Sequence, residues 1–489
     1  NKNKVIDFLL LGATQNECKF YDKLAFLYYE GKYITRDIDK SIYYYKLAAD
    51  QNDIISQYNL GVIYSNEKFL RLNITTAIHY LTLSADQNYD NAQFALAKLY
   101  FQDKEIPHDI NKGIHYLSLA ADQKHREALF VLGNYYYNSV YIQSDIIKAI
   151  HFFSLASDQN HVDAQFNLGL IYSDGINVSV DINKAIHYFT LASNQNDEKA
   201  QLNLGSIYYD GEYVPRDINK AIHYFTLAAN KNNIKSLYNL GLIYYEGRYV
   251  TRDINKSIYY YTLSANGNYA QAQYDLAQIY FENKYVQLDI DKTIHFLTLA
   301  AKQNHVQSQF ALANIFFDRN LDQYDLSKAM YYLTLSADQN HIKAQFSLGI
   351  IYYGGIYVPR DINKAIYYLS LAANNNYLTA QFNLGLVYLE GNHAVRDINK
   401  AIYYFTLSAN QNYQESLFNL GKIYFLAEHV PRDIKKAINY FTIAAELNDP
   451  NSQFALGVIY SNDKFGQKDI NKAIKYFTLA ADQNHLKAQ

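Results

Sequence analysis

Cysteine, methionine and tryptophan are almost missing from this sequence of 489 residues, which has one Cys, one Met and no Trp. With Cys18 as its only cysteine, the chain has no internal disulfide and no cysteine-based zinc site, and a reducing compartment such as the cytoplasm is favoured. The formal net charge is only -3, so a nucleic-acid partner is disfavoured. No apolar run approaches the roughly 18 residues that a membrane span needs.

Linker sequences are missing as well. A globular chain of this length would divide into about three domains, yet no stretch rich in Pro, Gly or Ser interrupts it. Hydrophobic residues make up 49% of the chain, and 51 Tyr and 26 Phe are among them. We therefore expect one continuous array with a core dominated by aromatic side chains.

The sequence does contain a repeat of 36 residues without insertions or deletions. An Asp stands at one position of every repeat except one, where Asn73 replaces it. These residues are Asp37, Asp109, Asp145, Asp181, Asp217, Asp253, Asp289, Asp325, Asp361, Asp397, Asp433 and Asp469. A fixed period of this size is typical of a solenoid, in which each repeat buries its apolar face only by stacking on its neighbours.

Apolar residues recur at helical spacing in both halves of each repeat, as residues 203–232 illustrate. This pattern predicts two antiparallel helices in each repeat. Gly211 should end the first helix, and Asp217 should cap the second by accepting backbone N–H groups. The second helix should stop at Asn232, since Asn tolerates the left-handed conformation. The equivalent residue is Asn in every repeat except one, which has Lys124.

The residue after the recurring Leu of the first helix is always Gly or Ala, as at Gly205. Gly in a helix costs up to about 1 kcal/mol relative to Ala, so its recurrence predicts that a neighbouring helix crosses closely at this point. Three residues later stands a Tyr, here Tyr208, which we expect to fill the groove beside the crossing.

These residues carry a family resemblance. The order Ala-Gln-aromatic-x-Leu-Gly-x-Ile-Tyr, then Gly-x-x-Val-x-Arg-Asp, then Lys-Ala-Ile-x-Tyr-aromatic-x-Leu-Ala-Ala closely resembles the Sel1-like repeat, a relative of the tetratricopeptide repeat. The resemblance implies an all-α fold, a right-handed superhelical α-solenoid of about thirteen 36-residue helix-turn-helix repeats. It further implies a non-catalytic adaptor that binds partner proteins without a cofactor. Asn stands where the family usually has Gly between repeats, and the disulfide-locked subclass is excluded.

The repeat frame divides the chain into three parts. Residues 1–16 align with the second helix of a truncated repeat, residues 17–484 make thirteen repeats, and residues 485–489 begin a further one. There is no initiator Met. We therefore expect a segment of a longer polypeptide.

No motif for catalysis breaks the repeat, so we predict no enzyme, no metal and no cofactor. One position of the second helix holds six histidines, which are His79, His115, His151, His187, His223 and His295. They form either a metal or proton ladder or an ordinary aromatic position, since Tyr occupies it elsewhere; a spacing of about 10 Å is too wide for a shared zinc. A second set, His125, His161, His305, His341 and His485, follows the Asn between repeats and is interpreted as loop chemistry.

The first helix has a variable stripe that is expected to line the concave groove, at positions 55, 59, 62 and 66 and their equivalents. Candidate partner-binding residues are Lys199 and Lys235, then Asn167, Asn203 and Asn239, and at the far edge Asp174, Asp210, Glu246, Glu282 and Asp318. Carboxylates near a helix C-terminus oppose the macrodipole. The acidic residues therefore either pair with Arg216 and Arg252 or bind basic segments of a partner.

The outer face is uniform, with Lys at position 40, Thr or Ser at position 46, and Asp or Asn at position 50 in most repeats. Recent duplication explains this uniformity, and the alternative is a regular partner touched once per repeat. Three functions follow as hypotheses. They are a cytoplasmic protein-interaction scaffold, a structural component of a periodic cytoskeletal or ciliary lattice, and a regulatory repeat region of a larger enzyme such as a kinase.

Overall fold

The computed structural model describes residues 2–66, 73–102, 109–138, 145–175, 178–391, 396–428, 430–465 and 468–488. In these ranges the chain forms 27 α-helices and a 3-10 turn at Asp463–Phe465, with no β-strand. The all-α prediction is confirmed. The contacts divide the chain into two compact units, Asn1–Arg252 and Asp253–Gln489. The 36-residue period runs unbroken through this division, so the sequence pattern does not show it.

The helices of the two units follow the predicted alternation. The first unit contains α1 (Lys2–Ala13), α2 (Cys18–Glu30), α3 (Ile38–Ala49), α4 (Ile54–Tyr64), α5 (Ile74–Asp86), α6 (Asp90–Gln102), α7 (Ile110–Asp122), α8 (Arg126–Asn138), α9 (Ile146–Asp158), α10 (Val162–Asp174), α11 (Ile182–Asn194), α12 (Glu198–Asp210), α13 (Ile218–Ala229) and α14 (Ile234–Glu246). The second unit contains α15 (Ile254–Asn266), α16 (Ala270–Phe281), α17 (Ile290–Lys302), α18 (Val306–Phe317), α19 (Leu326–Asp338), α20 (Ile342–Gly354), α21 (Ile362–Asn374), α22 (Leu378–Glu390), α23 (Ile398–Ala409), α24 (Gln414–Leu426), α25 (Ile434–Glu446), α26 (Pro450–Ser461) and α27 (Ile470–Asp482). Within each unit, an even-numbered first helix packs on the second helix that follows it and on the second helix before it.

The predicted helix ends are confirmed with one adjustment. Gly211 follows α12 in the left-handed conformation, and the Asp217 side chain caps α13 by accepting from the backbone N–H of Lys220. Asn232 is left-handed with a φ of 61°, as is Lys124 with 62°. However, α13 already ends at Ala229, so Asn232 shapes the turn into the next repeat and does not end the helix itself.

The small residue of the first helix makes room for a large side chain of the second helix. A Cβ added to Gly385 would lie 2.6 Å from ring carbons of Phe405, which is fully buried. Six Phe residues face Gly in this way, namely Phe153, Phe189, Phe225, Phe405, Phe441 and Phe477. Where the first helix has Ala, the residue twenty positions later is Leu or Tyr. The close crossing is confirmed, because a Cβ at these glycines would overlap the facing side chain of the second helix, which is Phe in six repeats, Leu81 opposite Gly61 and Leu369 opposite Gly349.

The recurring Tyr lies beside this crossing. The ring of Tyr208 stacks on that of Tyr224 with 6.0 Å between centroids and 5° between planes. Lys220 Nζ lies 4.8 Å from the Tyr208 centroid, which is within the range of a cation–π contact. The second helix therefore contributes both the ring of Tyr224, which stacks on Tyr208, and the cation of Lys220, which covers the Tyr208 ring.

A buried glutamine of the first helix joins neighbouring repeats. Gln309 is 0% exposed; its Nε2 donates to the carbonyl of Ala301 at 3.3 Å, and its Oε1 accepts from Gln339 Nε2 at 2.7 Å. Equivalent pairs of glutamines form the same Nε2 to Oε1 hydrogen bond in six further repeats. The donors are Gln87, Gln123, Gln195, Gln303, Gln411 and Gln483. Gln201 Oε1 and Gln345 Oε1 lack a partner in the described ranges, because Lys231 and Asn375 stand where the donating glutamine would be.

Four histidines of the second set are helix caps. The Nδ1 atoms of His125, His161, His305 and His341 accept the backbone N–H three residues later, at 3.1 to 3.3 Å. Each ring also contacts an aromatic ring of the preceding repeat, with centroid distances of 4.3 to 5.2 Å. These side chains therefore do more than the loop interpretation foresaw, since they start the first helix and pack between repeats.

We expect Gly385→Ala to lower the free energy of unfolding of the second unit by about 1–3 kcal/mol, because the new methyl group overlaps the Phe405 ring. Gly354→Ala is the matched control, since its Cβ would meet nothing closer than 3.9 Å; helix propensity should make it neutral or stabilising. Urea denaturation followed by circular dichroism measures both. Equal stability of the two variants would contradict the packing role of Gly385.

Lys231→Gln should stabilise the first unit by about 0.5–1.5 kcal/mol, because the new amide can donate to the unpaired Gln201 Oε1. Lys235→Gln removes a positive charge four residues away on an exposed part of α14 and serves as the control. Thermal unfolding of the unmodified protein and of the two variants measures the differences in stability. A gain shared by both variants would point to charge and not to the amide.

Acidification should weaken the second unit through its histidine caps. Burial lowers the pKa of His305, and burial together with Lys343 lowers the pKa of His341, so folding disfavours the protonated form of both rings. As the pH falls below the ordinary value of about 6.5, the unfolded chain binds protons that the folded chain does not, and stability decreases until the folded pKa values are passed.

The variant His341→Asp tests this pH dependence, since Asp caps the equivalent helix at Asp197 and keeps its charge between pH 5 and 7. We expect the slope of unfolding free energy against pH to become shallower over that range. An unchanged slope would show that the capping histidine does not contribute.

Candidate functional site

The first helices of the second unit enclose a cleft of about 790 Å³ between α16, α18 and the beginning of α20. Its apolar lining includes the buried Leu297 and Ile315, the half-buried Phe310, and Phe281, which is 42% exposed. Four side-chain amides also line it, those of Gln278, Gln307, Asn314 and Asn340. The cleft thus combines apolar surface with polar groups able to bond a peptide backbone.

A second cleft of about 450 Å³ begins at the same Asn314 and is lined further by Phe346, Ile350, Tyr357 and Asn383. In the first unit, another cleft of about 450 Å³ lies between α4 and α6, with Tyr58, Phe94 and Lys98 among its lining residues. All three are built mainly from first helices. Clefts on first helices therefore occur in both units.

The variable stripe supplies much of this lining. Of its four repeat positions, the first contributes Gln307 and Lys343, the second Ala311 and Ser347, the third Gln278, Asn314 and Ile350, and the fourth Asp318. Among the ten candidate residues named from the sequence, only Asp318 borders the cleft of about 790 Å³. The other nine occupy the same stripe on α10, α12, α14 and the end of α16.

The candidate lysines and asparagines of the first unit lie along one side of their helices. Lys199 and Lys235 are the second residues of α12 and α14 and are exposed. Lys199 Nζ lies 5.8 Å from the Phe166 centroid, and Asn203 Nδ2 donates to the Lys199 carbonyl at 2.9 Å. Asn167 Nδ2 donates to Asn134 Oδ1 at 3.3 Å, whereas Asn239 is half-buried at the equivalent place on α14.

The acidic residues at the other edge have unequal surroundings. Asp174 is exposed at the end of α10 and accepts from Ser173 Oγ at 3.2 Å. Burial raises the pKa of Asp210, and Arg216 opposes this shift. Glu246 Oε2 accepts from Tyr209 Oη at 3.0 Å, and burial together with this carboxylate raises the pKa of Tyr209 to about 12.

The two arginines bind main-chain carbonyls at the helix ends. Arg216 donates to the carbonyls of Asp210 and Tyr209 at 2.7 and 2.6 Å, and its guanidinium lies 4.6 Å from the Tyr249 centroid. Arg252 donates to the carbonyls of Glu246 and Tyr245 at 2.9 and 2.8 Å. These hydrogen bonds satisfy helix C-terminal carbonyls. The arginines thus contact the predicted acidic residues, Asp210 and Glu246, through the main-chain carbonyls of these residues.

The remaining acidic residues lie in the second unit. Asp318 follows α18, and its Oδ1 accepts from the backbone N and the Nδ2 of Asn320 at 2.9 and 3.0 Å. Glu282 follows α16 and is exposed. Sequence analysis missed Glu390, whose Oε2 accepts from Tyr353 Oη at 2.5 Å. It occupies the same repeat position but is separated from the run of five by Gly354.

The uniform outer face has internal contacts that explain it. Lys220 Nζ lies 3.8 Å from Asp217 Oδ2 while it covers Tyr208, and the equivalent lysines lie 4.9 to 5.5 Å from an aromatic centroid in ten other described repeats. The side chains of Thr406 and Tyr440 are hydrogen-bonded across one repeat boundary. Recurring Lys and Thr side chains therefore have partners within the fold.

The first set of histidines also belongs to the outer face. His79, His115, His151, His187 and His223 are exposed, and each ring contacts the next aromatic residue edge-on, as His187 does with Tyr188 at 5.1 Å. In the described ranges, no three His, Cys, Asp or Glu side chains are grouped so as to hold a metal ion. None of the described helices has the length and apolar character of a membrane span.

Comparison with known proteins places these features in a family. The family model for the Sel1 repeat matches residues 21–53, 54–89, 90–125, 126–161, 162–197, 198–233, 234–269, 270–305, 306–341, 342–377, 378–413, 414–449 and 450–485. A search of curated proteins found no match.

Solved structures share the fold. A protective antigen of uropathogenic Escherichia coli, c5321, is 23% identical over 99% of this chain and 97% of that one, with a TM-score of 0.65. A Sel1 repeat protein from Oxalobacter formigenes is 26% identical over 68% of this chain and 93% of its own, with a TM-score of 0.50. With thirteen matched repeats and paired helices throughout the described ranges, the chain belongs to the Sel1 repeat family and has an α-solenoid fold.

Proposed function

We propose that this chain is a non-catalytic scaffold that binds extended segments of partner proteins in the groove of its first helices. Sel1 repeat proteins generally act as protein-interaction scaffolds. The observation that carries the proposal is the cleft of about 790 Å³ along α18, where Phe281 is partly exposed and the side-chain amides of Gln278, Gln307 and Asn314 make no hydrogen bond in the described ranges. Apolar surface with unpaired amides suits a peptide backbone and its side chains.

The candidate residues of the stripe extend this proposal to the first unit. Lys199, Lys235, Asn167, Asn203 and Asn239 offer donors along the groove, and the exposed Asp174 offers an acceptor for a basic segment. Glu246 is less available, since it already accepts from Tyr209. The acidic edge is therefore best regarded as a contributor to binding and not as the whole site.

The same observations bear on the cellular location of the protein and on the two other functional hypotheses. The single cysteine favours a cytoplasmic setting. The outer face supplied the main reason for a cytoskeletal or ciliary lattice, and its recurring residues have partners inside the fold. Regulation of an appended enzyme, such as a kinase, stays a prediction of the family resemblance.

Asn314→Trp tests the groove, because this exposed residue borders both clefts of the second unit and a large ring there should fill them. Dodecapeptides selected from a random phage library on the unmodified protein should bind the variant at least about tenfold more weakly by fluorescence anisotropy. Asn363→Trp, exposed on the second helix α21, is the matched control and should bind as the unmodified protein does. Loss of binding in the control alone would place the site on the outer face.

A further inference from the structure

Along part of the groove, the two ends of the first helices carry side chains of opposite charge. First helices begin at one edge and end at the other. Four of them carry a lysine as their second residue, Lys19, Lys199, Lys235 and Lys343, whereas three carry Glu127, Asp163 or Glu415 there. The opposite edge carries the run from Asp174 to Asp318. The four lysines and this acidic run lie where the helix macrodipole disfavours their charges. Helix stability therefore does not account for either placement.

The two edges meet in the cleft of about 790 Å³ along α18. Lys343 borders it at the beginning of α20, and Asp318 borders it just after α18. Gln307, at the Lys343 end, is eleven residues before Asp318, which corresponds to roughly 16 Å along a helix. An extended peptide covers that distance with about five residues.

Lys343 and Asp318, the charged groups at the two ends of the cleft, differ in the contacts that they already make within the fold. Lys343 Nζ makes no ion pair or cation–π contact in the described ranges, and together with burial it lowers the pKa of the neighbouring His341. Asp318 uses Oδ1 for Asn320, which leaves Oδ2 for a further donor. The neighbouring Arg319 lies over the rings of Tyr324 and Tyr357, 5.9 and 5.4 Å from their centroids.

We propose that the cleft along α18 binds an extended peptide of about five residues with an acidic side chain at one end, an apolar side chain in the middle and a basic side chain at the other. The acid lies against Lys343, the apolar side chain against Phe310, and the base against Asp318, next to Phe281. The unpaired amides of Gln307 and Asn314 bond the peptide backbone between them. This specificity rests on the proposed peptide-binding function of the groove.

An array of acetylated and amidated pentapeptides tests the proposal, with Leu at the centre and Glu, Lys or Gln at either end. Peptides with Glu at one end and Lys at the other should bind the unmodified protein roughly four- to twentyfold more tightly than those with two Gln, because each exposed ion pair contributes about two- to fivefold. The Lys343→Glu variant presents acid at both ends of the cleft. It should therefore prefer peptides with two Lys.

Lys435→Glu, which makes the same charge change at an exposed position of α25, is the control and should keep the original preference. Identical preferences of the unmodified protein and Lys343→Glu, with binding still lost in Asn314→Trp, would overturn the charge order while the groove stands as the peptide site. Binding of none of the pentapeptides would overturn this inference, and failure of the selected dodecapeptides as well would overturn the proposed function.

Discussion

In nine repeats of the described ranges, the hydrogen bonds of a buried glutamine amide couple the repeat to the one before it. Gln309 reaches back to the second helix of the preceding repeat through Nε2 and receives the end of its own second helix through Oε1. A side-chain amide donates through its NH2 group and accepts through its carbonyl oxygen, whereas an ionised carboxylate only accepts and an apolar residue does neither. Because the amide is buried, a missing partner is costly, and the stacking geometry is fixed wherever both bonds form.

Much of the fold could be predicted from the sequence, since its signals are local. The period, the Asp217 cap, the left-handed Asn232 and the small Gly205 each act through neighbouring backbone or through a steric limit that a single residue type reveals. The glutamine bridge was not predicted. A Gln in a helix is ordinarily interpreted as a surface residue, and only the stacked structure shows that Gln57 is 1% exposed.

The candidate site was predicted in outline and not in detail. The stripe was recognised because it varies among uniform neighbours, and its positions do line the clefts. Sequence position could not show that Arg216 would reach a carbonyl and not a carboxylate, since a long side chain selects its partner in three dimensions. For the same reason Glu390 was overlooked, although Tyr353 binds it just as Tyr209 binds Glu246.

The distances along the chain between bonded repeats have a consequence for folding. The side-chain hydrogen bonds that cross from one repeat to another join residues close in the chain, such as Gln309 with Ala301, 8 positions apart, and Tyr209 with Glu246, 37 positions apart. Low contact order of this kind keeps the loop-closure entropy small and allows rapid folding. Any adjacent pair of helix hairpins can therefore act as a nucleus, and structure can spread from it in both directions as in a one-dimensional chain of coupled elements.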